Sequence, residues 1–219
     1  MERLDTFDEL GRHTGVADRL TVHAEGLWHQ VIHILVVARR ESGPVVVLQR
    51  RAASKSTFPG LLDLSATGHL AAGETPIDGL RELREELGID VAPAALVRLG
   101  VRRLVDVTPE GTNRELAHVH LVADDRPLEA YAPDPTEVDA VVDLPVDAGL
   151  DLFTGRRDVV ECAAVGADGA TTRLTVERSS FVPDPPLGDV RLEGDAPGYW
   201  VTLLQMAGRL ADGDHRLAI

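Results

Sequence analysis

The sequence predicts an α+β fold in which a mixed β-sheet is sandwiched by helices. Three observations lead there. Short apolar runs recur at hairpin spacing, one helix is bounded by start and stop signals at both ends, and strands and helices do not alternate strictly enough for a parallel doubly wound sheet.

Taken along the chain, Val31 to Ala38 and Val45 to Leu48 are strand-like apolar runs joined by RRESGP, whose end has turn composition, so they form a hairpin. Leu61 to Ala66 adds a further strand. Thr75 to Leu87 reads as a helix: Thr75 can cap it, Pro76 suits the first helical position, Asp78 stands three residues after the cap, and Gly88 follows the end. Leu96 to Val107 and Glu115 to Val122 are strands linked by TPEGTN, and Val138 to Leu144 is another. Val159 to Val165 and Thr171 to Val176 flank GADGA as a second hairpin, and Pro197 to Leu210 forms a terminal helix.

No repeat, low-complexity tract or long linker divides the 219 residues, so one domain spans 1–219. Extensions are expected over about residues 1–27 and 155–219. Apolar residues make up 44% and charged residues 26%, which excludes a disordered chain, while aromatics at 4% leave the core to Val, Leu and Ala. A formal charge of −14 argues against a nucleic-acid polymer or an anionic membrane as partner, because both need clustered cations. The N-terminal MERLDTFDEL lacks the order of a signal peptide, and no apolar run is long enough to span a bilayer, so a cytoplasmic protein is expected. A single cysteine, Cys162, excludes an intrachain disulfide and a multi-cysteine metal site. A homodimer is compatible with all of this.

Chemistry concentrates on the helix. At about 100° per residue, Glu82, Glu85 and Glu86 share an arc of roughly 100°, with Leu80, Leu83 and Leu87 opposite. Two such carboxylates about 4 Å apart repel by roughly 4 kcal/mol at an effective dielectric of about 20. Bound Mg2+ or Mn2+ would remove that cost, since both favour hard oxygen ligands. A solvated acidic face is the plainer explanation for three glutamates taken alone. Upstream, LQRRAASKSTFPG places Arg50, Arg51 and Lys55, the chain's only lysine, as a basic group able to clamp a diphosphate.

The segment GHLAAGETPIDGLRELREELGI, from Gly68 to Ile89, resembles the signature box of the Nudix hydrolase family. The resemblance implies an α/β/α sandwich and hydrolysis of a small-molecule diphosphate. Gly68, Glu82, Glu85 and Glu86 would belong to the metal site, joined by Glu115 from a later strand. Arg81 would orient the carboxylates, and Glu85, Glu86 or Glu115 would act as base. One departure stands out: six residues, TPIDGL, separate Glu74 from Arg81 where the family has seven. The first turn or the preceding loop is expected to absorb the loss, aided by the permissive backbone of Gly79. A Nudix scaffold that only binds ligand would rest on this shortened box.

HAEGLWHQ, LQRRAASKSTFPG and GHLAAGE also resemble the isopentenyl-diphosphate isomerase branch. In that likeness His29, His69 and Glu115 match metal ligands, and His23 is a further candidate at inexact spacing. Thr67 stands where the isomerase has its catalytic cysteine, and a hydroxyl cannot replace a thiol in proton transfer near neutrality. His118 and His120 share a strand with Glu115 and either face the site or pack. Phe181 to Pro186 and Tyr199-Trp200 either shape a substrate pocket or anchor the C-terminal segment, and the anchoring role is the expected one.

Overall fold

A computed structural model describes residues 2–108, 111–183 and 198–219. In chain order its elements are β1 (Arg3–Phe7), β2 (His13–Asp18), α1 (Arg19–Glu25), β3 (Trp28–Arg40), β4 (Gly43–Arg51), β5 (Leu62–Asp63) and β6 (Ala66–His69). There follow α2 (Arg81–Leu87), β7 (Leu96–Thr108), β8 (Gly111–Ala123), β9 (Val138–Pro145), α3 (Val146–Phe153), β10 (Val160–Gly166), β11 (Thr171–Val176) and α4 (Tyr199–Ala211).

Alternation along β3 and β4 sets the layers. Ile32, Ile34, Val36, Val45 and Val47 face one side and pack with Leu83 and Leu87 of α2. Leu35, Val37, Val46 and Leu48 face the other and pack with Leu152 of α3 and Leu203 and Leu204 of α4. Successive strand residues point to opposite faces, so strands apolar on both faces need two covers. The result is the expected α/β/α sandwich. The sheet is mixed because β3 runs parallel to β8 while its other pairings, with β1, β4 and β6, are antiparallel. From β3 the order continues through β4, β9 and β10 to β11, and β7 flanks β8.

Two expectations need correction. The single strand over Leu61 to Ala66 is two short strands, because the hairpin partners part company there. Direct pairing of β3 with β4 ends at Val36 and Val47; beyond that point β6 lines β3 and β5 lines β4. Ser65 stands at this fork. Its hydroxyl accepts from the Val36 N–H at 2.7 Å and donates to the Val47 carbonyl, replacing the ladder bonds that the divergence breaks. The second correction concerns the helix, which begins as a 3-10 turn at Asp78–Leu80 and becomes α-helical only at Arg81. Thr75 does not cap through its oxygen. Instead its N–H and hydroxyl both donate to the Asp78 carboxylate, at 2.8 and 2.7 Å, which tightens the first turn.

The N-terminal elements went unread in the sequence. α1 nevertheless carries legible caps: Asp18 accepts from the Thr21 N–H at 3.1 Å, and Gly26 closes the helix at φ 62°. β1 pairs with β3 at Thr6 and His29, which fastens this segment to the central sheet.

Candidate active site

The fork between β3 and β4 opens into a cleft of about 700 Å³. On α2, Glu82 and Glu86 are buried, whereas the Glu85 side chain is 54% exposed, so the three carboxylates approach the cleft to different depths. Arg81 sits among them. Its guanidinium donates to Glu82 at 2.6 Å, to Glu85 at 3.1 Å, and to both oxygens of Glu74 at 3.0 and 3.2 Å. A further bond to the His69 carbonyl at 2.8 Å ties the helix to β6. The Glu74–Arg81 pair therefore forms despite the shortened box, and the 3-10 turn lies between its two members. Gly79 contributes in a way other than expected: a Cβ there would lie 2.9 Å from Ile32 and Leu70, so the residue is needed for close packing on β3.

Gly68 meets a similar demand. A Cβ at this position would lie 2.0 Å from Glu82 Oε1, so the carboxylate occupies the space a side chain would fill. Glu86 Oε2 accepts from Gln49 Nε2 at 2.8 Å and from the Thr67 N–H at 2.9 Å. Burial is the main cause that raises the pKa of Glu82, to about 7, and that of Glu86 well above the usual carboxylate value. Crowded, desolvated carboxylates are hard oxygen donors held where ionisation is costly, and that donor set fits Mg2+ or Mn2+.

A nitrogen-rich group stands beside it. The ring nitrogens of His23, His29 and His69 lie within 4.8 Å of one another, and His23 Nε2 is 3.3 Å from His69 Nε2. His29 Nδ1 donates to the Leu27 carbonyl at 3.0 Å, which leaves its buried Nε2 as an acceptor without a protein partner. Burial lowers all three pKa values, keeping the imidazoles in the neutral form that binds metal. Glu115 faces His29 across the β3–β8 register and accepts from Asn113 Nδ2 at 2.7 Å; burial raises its pKa. These residues fit a second cation of softer preference, Mn2+ or Zn2+. His118 and His120 lie on the opposite face of β8 from Glu115 and do not line the cleft.

Of the basic residues, Arg51 and Lys55 line the cleft; Arg50 does not. Arg51 donates to Asp63 Oδ2 at 3.1 Å and to the Thr57 carbonyl at 3.0 Å, and Lys55 pairs with Glu137. Asp63 and Glu137 escaped the sequence reading because neither belongs to a recognisable motif. Tyr199 and Trp200 do anchor α4: the Tyr199 hydroxyl is 2.9 Å from His33 Nδ1, and Trp200 stacks on Phe153. Both also line the cleft, as do Val182 and Pro183. Residues 184–186 of the FVPDPP segment lie outside the described residues.

Comparison with known proteins bears on this arrangement. The NUDIX domain model matches residues 29–161. A Clostridium acetobutylicum protein named as an uncharacterized Nudix hydrolase is 33% identical over 186 residues, covering 83% of this chain and 90% of its own. An isopentenyl-diphosphate Delta-isomerase of Cutibacterium acnes is 31% identical over 151 residues, covering 62% of this chain and 69% of its own. A crystal structure from Deinococcus radiodurans superimposes with a TM-score of 0.50 at 26% identity, covering 70% of this chain and 90% of that one. By its domain, its relatives and the box carried on α2, the chain belongs to the Nudix hydrolase family, in the branch that also holds isopentenyl-diphosphate isomerases.

Proposed function

We propose that the protein hydrolyses a phosphoanhydride bond in a small organic diphosphate, using Mg2+ or Mn2+. The observation that carries this reading is the gathering of Glu82 and Glu85 around Arg81, of Glu82 against Gly68 and of Glu86 against Gln49 and Thr67, with Arg51 and Lys55 lining the same cleft. Glu82, Glu85, Glu86 and Glu115 are the side chains that would hold metal, and Gly68 makes room for the Glu82 carboxylate among them. When bound, the cation neutralises diphosphate oxygens and makes a water more acidic. Arg81 spans Glu74, Glu82 and Glu85, and so holds the carboxylates in register. Arg51 and Lys55 would take phosphate oxygens in charge-assisted bonds, exchanging them for Asp63 and Glu137. Glu85, Glu86 and Glu115 are the candidates to accept the proton released when water attacks phosphorus and the bridging P–O bond breaks.

The test is a metal-supplemented screen of nucleoside diphosphate derivatives, dinucleotides, thiamine diphosphate and prenyl diphosphates, followed by variants on the best substrate. Glu85→Gln and Glu86→Gln should each lower turnover by about 100-fold or more while leaving the protein folded, the scale for losing a preorganised charged group. Near wild-type, Mg2+-dependent turnover in both variants would overturn the proposed site.

A second reading, isomerisation of an isoprenoid diphosphate, is favoured by the cluster of His23, His29 and His69 beside Glu115. Thr67 weighs against it, because its N–H is bound to Glu86 and its hydroxyl has no thiol-like acidity. Product analysis separates the two: a split diphosphate or a rearranged alkene.

A further inference from the structure

The row of β4 residues that faces α2 reads Val45, Val47, Gln49. The first two are core residues packed in the layer beneath the helix, and the pattern calls for a third apolar side chain. Gln49 is instead an amide with 0% exposure. A buried amide is costly unless it is hydrogen-bonded, and the Oε1 of this one has no partner. Its Nε2 makes one bond, 2.8 Å long, to Glu86 Oε2. That same oxygen takes the Thr67 N–H at 2.9 Å. Both donors thus converge on one oxygen of the carboxylate, and they come from opposite prongs of the fork, β4 and β6. Neither adds a charge to the site, so the carboxylate is held without competing for a cation.

Building on the metal-site reading above, we propose that Gln49 is the positioning residue for Glu86, fixing Oε2 against β4 and β6 so that Oε1 is the oxygen presented to the divalent cation. A carboxylate fixed through one oxygen loses the freedom to rotate about its last torsion. Groups that orient a metal-binding side chain typically change metal affinity by 10–100-fold when removed.

The experiment is a direct Mn2+ titration, read by the electron paramagnetic resonance of free Mn2+, on the full chain and on three variants. Glu86→Gln identifies the relevant site as the Mn2+ that it loses. Gln49→Met keeps the length and burial of the side chain but removes the donor. It should weaken that same site by about 10-fold. Its urea midpoint should stay near that of the native chain, because the unpartnered Oε1 is removed together with the bond. Gln49→Asn retains the amide but shortens its reach by one methylene. It should weaken the site comparably, and it carries the test should Gln49→Met not fold. A two-fold or smaller change in Mn2+ affinity for a folded Gln49 variant, with the site lost in Glu86→Gln, overturns the positioning role alone. Full Mn2+ binding by Glu86→Gln overturns the metal site itself, and the positioning role with it.

Discussion

Gly68 has a backbone conformation open to any residue, so its lack of a side chain answers to its neighbour and not to its own dihedrals. The neighbour is the Glu82 carboxylate, whose Oε1 would stand 2.0 Å from an added Cβ. The clash falls on the far end of a flexible side chain. Gly68→Ala should therefore swing the carboxylate out of place at a modest stability cost, about 1 kcal/mol or less. If Glu82 belongs to the metal site, turnover should fall by about 100-fold, since loss of placement is equivalent here to loss of the group. Turnover and urea midpoints of the two proteins check this. A variant with unchanged turnover would show that the position of Glu82 is irrelevant to the chemistry, whereas a collapse of stability would show that Gly68 serves packing alone.

Among the elements, α2 shows how a shortened motif keeps its geometry. The Thr75–Asp78 bonds and the 3-10 turn tighten the chain ahead of Arg81, and Gly79 lets that turn lie directly on Ile32 and Leu70. Inserting an alanine between Gly79 and Leu80 restores the family spacing but rotates the residues on either side by about 100° relative to each other. Either Leu80, Leu83 and Leu87 leave their packing face or the tight turn bulges off β3. The insertion should cost about 1–3 kcal/mol and lower hydrolysis, measured as urea midpoints and initial rates. A stable insertion variant with much higher turnover would mean that the native box is impaired. The sequence disclosed the position of this helix because Gly88 and the leucine spacing mark it, and disclosed β3 and β4 because both faces of each are apolar. It concealed the split of β5 from β6, since Ser65 makes with a side chain the bonds a ladder would otherwise make. It also concealed β1 and β2, whose half-exposed residues carry no apolar run. The histidine cluster was legible only as separate residues, because His23, His29 and His69 come from α1, β3 and β6 and meet only through the topology.

At the scale of the whole molecule, a chain of net charge −14 buries several of its carboxylates in one cleft, and this couples its stability to pH. No described helix is long and apolar enough to cross a membrane. Burial is the leading cause that raises the pKa of Asp63, Glu82, Glu86 and Glu115, with Glu82 at about 7. A carboxylate whose pKa is raised by folding favours the folded state at low pH. That advantage is lost as pH climbs from the unfolded value, about 4, through the folded one. The buried histidines act in the other direction. His33 at about 3 and His118 at about 4 bind fewer protons folded than unfolded, which costs stability only below about pH 6.5. From about one pH unit above that value the histidines are neutral in both states, and the raised carboxylates set the slope. The metal-free protein should therefore lose stability as pH rises above about 7.5, as the remainder of Glu82 and groups above it ionise without a counter-charge. Mg2+ held by the ionised carboxylates, as proposed above, would compete with their protons, so its stabilising effect should grow over the same range. Urea midpoints at fixed ionic strength, with chelator and with saturating Mg2+, decide the matter. A chelator series that falls while the Mg2+ series stays level is the expected outcome. Parallel series, with an increment independent of pH, would mean that the cation does not engage the buried carboxylates of α2.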